Sequence, residues 1–180
     1  MIGRTNAQMQ PVREYDGMVC CSTITTSGET RDMVFEGTFP YLTRICLEGN
    51  RFTKIHLKGL TSSLTYMLNF MRYSSTPTVI LEGDLSGVGV WNRAFEIGNQ
   101  ATLRNVTLPE KTVKADIAFN WGCNYLTSAS VQSILDSLYD YRDDGPVEIL
   151  VRTLTLYSGL KAALTDAQIA EANARGWIIA

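Results

Sequence analysis

Two stretches ten residues apart carry nearly the same order of apolar and polar positions: LTRICL at residues 42–47 and FTKIHL at 52–57. Each alternates, the period of two at which a β-strand turns one row of side chains inward and the next outward. The pattern returns at Val79 and Leu81, Val88 and Val90, Val106 and Leu108, Val113 to Phe119, and Leu154 and Leu156. Between partners fall Gly49-Asn50, Gly83-Asp84 and Pro109, residue types that suit turns. The chain therefore reads as pairs of short strands separated by longer segments.

Those longer segments have a different period. LTSSLTYMLNFMRYSS (60–75) places Leu60, Leu64, Met67, Leu68 and Met71 at helical spacing, and LTSASVQSILDSLYDY (126–141) does the same with Val131, Ile134, Leu135 and Leu138; both predict amphipathic helices. Thr127 suits the N-cap of the second, where its hydroxyl can accept from a free N–H of the first turn. WNRAFEIGNQ (91–100) is too short for more than a turn or two. Thr165 and Gln168 form a capping-box pattern ahead of AQIAEANAR, and Gly176 suits the left-handed position that ends a helix.

A strand-turn-strand-helix unit recurring every 25 to 37 residues cannot bury its apolar face alone, so neighbouring units must stack. The fold expected is an α/β repeat: a short, leucine-rich-repeat-like solenoid whose rungs line up into parallel ladders. An α/β or α+β sandwich with the ten-residue pairs as hairpins is the alternative. The expected division is an N-terminal arm at 1–39 and a repeat domain at 40–180, of which 126–180 forms a C-terminal helical cap. The arm is polar, with one strand-like piece, MVCCSTITTSG (18–28), and serves either as a capping strand for the first repeat or as an anchor on another subunit.

The units resemble divergent BspA-type leucine-rich repeats, in which an LTSI-x-IP strand is followed by a V-x-x-I strand and a small AF segment. LRNVTLPEKTVKADIAF (103–119) is the nearest match and LTRICLEGNRFTKIHL (42–57) a looser one. The stretch 126–180 is similar to the terminal cap of such arrays, with an LT-x-x-S helix, a TLTL strand, an L-T-x-x-Q/E helix and a final Gly-Trp. The resemblance covers residues 42–180. It implies an interaction scaffold and no enzyme, since members include bacterial surface adhesins and phage structural or tail proteins of gut bacteria.

Sixteen basic and eighteen acidic residues, scattered along the chain, give no footprint for nucleic acid or an anionic membrane. No window reaches the apolar length of a membrane span, and MIGRTNAQMQPVREYDG lacks the apolar core of a secretory signal. These features point to a cytosolic origin. With the few repeats and the lack of a wall-anchoring tail, they favour a virion protein assembled in the host cytoplasm. A bacterial leucine-rich-repeat adhesin at the cell surface, or a cytoplasmic binding module, is the alternative. The partners implied are other virion proteins and a host cell-surface protein or glycan, with a homo-oligomer also open.

Chemistry is sparse. His56 is the single histidine, on the predicted solvent side of its strand, without an identifiable orienting carboxylate. DYRDDGPVEILV (140–151) fails as a calcium loop, because Arg142 and Val151 fall where ligands belong. EGDLSGVGV (82–90) lacks the Gly-Lys-Ser/Thr of a phosphate cradle, so its glycines read as tight turns. Cys20, Cys21, Cys46 and Cys123 have no metal-ligand spacing and read as buried or incidental thiols. Trp91, Trp121, Tyr125 and Trp177 read as core residues, Trp177 plugging the end of the array, with a sugar platform as the alternative. No paired carboxylates for glycoside hydrolysis stand out. No cofactor, metal or catalytic residue is expected. Contacts are instead expected on outward strand positions: Arg44 and Cys46, Lys54 and His56, Glu82, Asn105 and Thr107, with Lys114 and Asp116 nearby.

Overall fold

A computed structural model of the chain describes residues 13–15, 18–20, 32–37, 39–49, 51–97, 102–144 and 151–180. In chain order its strands are β1 (Arg13–Tyr15), β2 (Met18–Cys20), β3 (Met33–Glu36), β4 (Arg44–Cys46), β5 (Ile55–Leu60), β6 (Tyr66–Met67), β7 (Thr78–Gly83), β8 (Asn105–Thr107) and β9 (Ile117–Phe119). After these come helix α1 (Ser128–Ser137), β10 (Arg152–Leu156), α2 (Ser158–Ala162), α3 (Asp166–Ala174) and β11 (Trp177–Ile179). Three sheets result, ordered β1-β2-β4-β6, β3-β5-β7-β8 and β11-β10-β9. Every named pair is parallel except the antiparallel β1–β2.

The expected leucine-rich-repeat-like solenoid of strand-turn-strand-helix units is not the architecture. The chain is a mixed α/β fold of short parallel sheets, and the α-helices among the described residues lie after Thr127 rather than recurring with each pair of strands. Nor are the ten-residue pairs hairpins, because β4 and β5 enter different sheets. Of the expected arm, residues 13–15, 18–20, 32–37 and 39 are described; β2 pairs with β4 and β3 with β5.

The helix expected over 60–75 is replaced by β6 and a series of turns. Along this segment the N–H groups of Met67, Asn69, Met71 and Tyr73 donate to the carbonyls of Val90, Asn92, Ala94 and Glu96. Each bond reaches 23 residues ahead, so these groups are spent sideways and not on an i→i−4 helix. Asn69 and Tyr73 sit at φ 48° and 56°, the left-handed region that breaks a right-handed helix. The apolar spacing was real but served another end: Leu64, Met67, Phe70 and Met71 are all fully buried between stacked segments.

In the four-stranded sheet, Met33 lies beside Ile55, Ile55 beside Val79 and Val79 beside Val106. The next inward row is Phe35, Leu57 and Leu81. Past Leu57 a bulge at Gly59, with φ 72°, shifts the register so that Leu60 pairs with Gly83 and still turns inward. Beneath these rows the Phe95 ring stacks on Phe119 at 4.4 Å and meets Phe70 edge-on at 6.0 Å, arrangements that add to the area each ring removes from water.

Where β8 forms the border of this sheet, α1 finishes it with hydroxyls. The Ser130 side chain accepts from Val106 N–H at 3.0 Å and donates to the Arg104 carbonyl at 3.1 Å, while Ser133 Oγ accepts from Leu108 N–H at 3.1 Å. Thr127 caps α1 as expected, accepting from Ser130 N–H. In the last third Thr165 and Gln168 form the expected capping box on α3, and Gly176 has φ 94°. Trp177 is buried, its indole N–H donating to the Tyr139 carbonyl at 2.9 Å. Arg142 ties Asp140 to Glu171 of α3, at 2.6 and 3.0 Å.

Candidate functional site

Alternation places the odd-numbered residues of β3 inward, so Asp32, Val34 and Glu36 face solvent. The parallel register then sets Val34 beside His56, His56 beside Ile80 and Ile80 beside Thr107 in one outward row. A second row joins Glu36 to Lys58, and Thr78 pairs with Asn105 in a third. Charges on this face are coupled across strands. Lys54 Nζ lies 3.0 Å from Asp32, Lys58 Nζ 3.4 Å from Glu36, and His56 Nε2 2.7 Å from Glu82 Oε1. Asp32 also accepts from the Thr53 hydroxyl; that bond, followed by the one from Lys54, holds its carboxyl below the usual carboxylate range.

Five of the nine expected contact residues therefore meet on one surface: Lys54, His56, Glu82, Asn105 and Thr107. The other four do not. Arg44 is on the neighbouring sheet, its guanidinium 5.5 Å over the Tyr66 ring. Lys114 Nζ lies 3.8 Å over the Tyr139 ring, and Asp116 accepts from Thr153 N–H of β10 at 2.7 Å, so both are away from this face. Cys46, expected to point outward, is buried along with Ile45 and Leu47, so β4 is covered on both faces at this end.

Sequence reasoning missed Asp32, Val34, Glu36 and Lys58. The signal was present in DMVFE (32–36), an apolar triplet bounded by acids, but it lay inside the stretch assigned to an arm. Lys58 continues the Lys54-His56 parity.

The other sequence candidates are placed as follows. Trp91 is buried, while Tyr125 is half exposed beneath the Arg104 guanidinium, 4.7 Å away. Cys123 is enclosed, and burial pushes its thiol up to about 12, which removes the thiolate that redox or nucleophilic chemistry needs. Asp140, proposed and rejected as a calcium ligand, is buried against Arg142; residues 145–150 of that segment lie outside the described residues. Two of the three glycines of 82–90 hold close approaches: a Cβ on Gly83 would stand 2.2 Å from the Leu60 carbonyl oxygen and one on Gly87 1.8 Å from that of Ser62, while one on Gly89 would meet nothing within 4 Å. Between α1 and α3 is a groove of about 210 Å³ floored by Leu135 and Ala172 and spanned by a Gln168–Gln132 hydrogen bond of 2.9 Å. Among the described residues no group of three or more His, Cys, Asp or Glu could hold a metal ion, and no helix is long and apolar enough to cross a membrane.

Compared with protein-family models, with curated proteins and with solved structures, the chain matches none.

Proposed function

We propose that the protein is a non-enzymatic binding component of a phage virion, of the tail, baseplate or capsid surface, and that it meets its partner through the outward face of β3-β5-β7-β8. The observation that carries this reading is the assembly of that face from four strands. Asp32, Lys54, Glu36, Lys58, His56 and Glu82 hold one another across strands, with Val34 and Ile80 between them. Side chains fixed in this way lose little freedom when a partner docks, which lowers the cost of binding. A face on rigid strands also keeps its geometry better than one on loops. Many copies on one particle would multiply a modest single-site affinity.

The test is mass spectrometry of purified particles together with incorporation of a face variant. The protein is expected in the particles at fixed copy number, and Val34→Arg, at an exposed site that should not disturb folding, is expected to lower that number. Recovery only from cells that carry no phage genome would replace the virion reading with a bacterial adhesin or intracellular binding module. Release of sugar from host envelope polysaccharide by the purified chain would overturn the non-enzymatic reading.

A further inference from the structure

Two of the four cysteines are brought side by side by the fold. In the parallel register of β2 and β4, Met18 lies beside Arg44, Val19 beside Ile45 and Cys20 beside Cys46. The two cysteines belong to no common motif, so the register alone brings them together. Parallel neighbours in register share a side of their sheet and lie about 4.8 Å apart in the hydrogen-bonding direction. Joining two cysteines without moving the backbone requires Cα atoms roughly 4.4–6.8 Å apart. The Cys20 and Cys46 positions meet that condition.

A relaxed disulfide draws its Cβ atoms to about 3.8 Å, nearer than neighbouring strands hold them, so a bond at this register carries strain. Strained disulfides are the readily reduced ones, which form and break with their surroundings. Cys46 is 6% exposed, so a reagent reaches it only through local opening. In the sheet ordered β1-β2-β4-β6, β1 and β2 are attached through the three-residue ladder of β2 and β4.

We infer that Cys20 and Cys46 form a reversible cross-strand disulfide, a redox latch that fastens β1 and β2 to β4. The step is thiol–disulfide exchange with a small disulfide such as oxidised glutathione. One protein thiolate attacks it, expelling one glutathione as thiolate and leaving a mixed disulfide. The second protein thiolate then attacks the protein sulfur of that bond and expels the other glutathione. The protein gives up two electrons and two protons, and the oxidant takes both and leaves as two thiols. In a reducing compartment the ladder is held by hydrogen bonds alone; in an oxidising one it is also held covalently. The latch is independent of the docking face and of the virion reading.

The experiment incubates the full chain with oxidised glutathione, blocks remaining thiols and maps tryptic peptides without reduction. Cleavage after Arg13, Arg31, Arg44 and Arg51 leaves Cys20 and Cys21 on the peptide 14–31 and Cys46 on 45–51. The two peptides are expected as one linked species that dithiothreitol separates, with fragmentation placing the link on Cys20. Cys21→Ser is expected to keep the link and Cys20→Ser to lose it. Oxidation is expected to slow amide exchange at 18–20 and 44–46 about tenfold, because the bond closes the loop from Cys20 to Cys46, and reduction is expected to restore the original rate. A link from Cys21 or Cys123, a link between chains, or no link after prolonged oxidation would overturn the inference. So would exchange that the link leaves unchanged. Should Cys20→Ser fail to fold, fragmentation of the wild-type species decides between Cys20 and Cys21 by itself.

Discussion

Two borders within one sheet are closed by different chemistry. Between β5 and β7, and in the turns that follow them, backbone meets backbone so closely that Gly83 and Gly87 have no room for a side chain. Between β8 and α1, backbone meets side chain instead, with Ser130 and Ser133 standing where the next strand would be. The first border depends on the absence of atoms and the second on the presence of two hydroxyls. They should therefore fail in different ways and by different amounts.

The largest effect is expected at the first border. Gly87→Ala drives a methyl group to within 1.8 Å of the Ser62 carbonyl oxygen, and rigid backbone on both sides can relieve this only by separating the two segments. A loss of about 3 kcal/mol is expected, read as a lower urea midpoint; an unchanged midpoint would show that the border has slack. At the second border Ser130→Ala leaves the buried Val106 N–H without its acceptor and should cost about 2 kcal/mol. Hydrogen exchange should locate that damage at 104–108 and α1, with the amides of β5 still protected. Uniform loss of protection would mean that the two borders are one cooperative unit.

An acid titration tests a third kind of closure, the ion pairs of the last segment. Hydrogen bonding from Arg142 holds the Asp140 carboxyl down to about 2, against an ordinary value of 3.8. A depressed folded value means the contribution is fully present above about pH 4 and lost as the pH falls through about 2. The loss should be about 1 kcal/mol after allowance for the half-exposed Arg142; Asp140→Asn should lack it, so the stability difference between wild type and that variant should shrink as the pH falls through about 2. The smallest effect belongs to the outward face. Lys58→Ala should change the unfolding free energy read from a urea titration by less than about 0.5 kcal/mol, because Lys58 and Glu36 meet at the exposed surface. A larger change would make that pair part of the fold's support and not a surface free to serve a partner.

What could be read from the sequence was what neighbouring residues decide among themselves. Alternation at Ile55 and Leu57, Val79 and Leu81, and Asn105 and Thr107 located strands and their outward positions, because strand parity is local. Thr127 and Thr165 announced helix starts for the same reason. The segment 60–75 misled because Leu64, Met67 and Met71 satisfy a helical period, whereas the deciding bonds run to carbonyls 23 residues away. Its Ser, Thr, Tyr and Asn content gave little intrinsic resistance to that outcome. The candidate face was half legible for a related reason. Parity says that Arg44, Lys114 and Asp116 point out, yet not onto which sheet, and β3 becomes part of the face only through its register with β5.

The hydroxyl row of α1 also limits how this chain could have been lengthened. A serine side chain satisfies one strand and offers no fresh row of donors and acceptors beyond it, so the sheet terminates on that side. The β8 edge of the sheet is thus set by the hydroxyl spacing of a single helix.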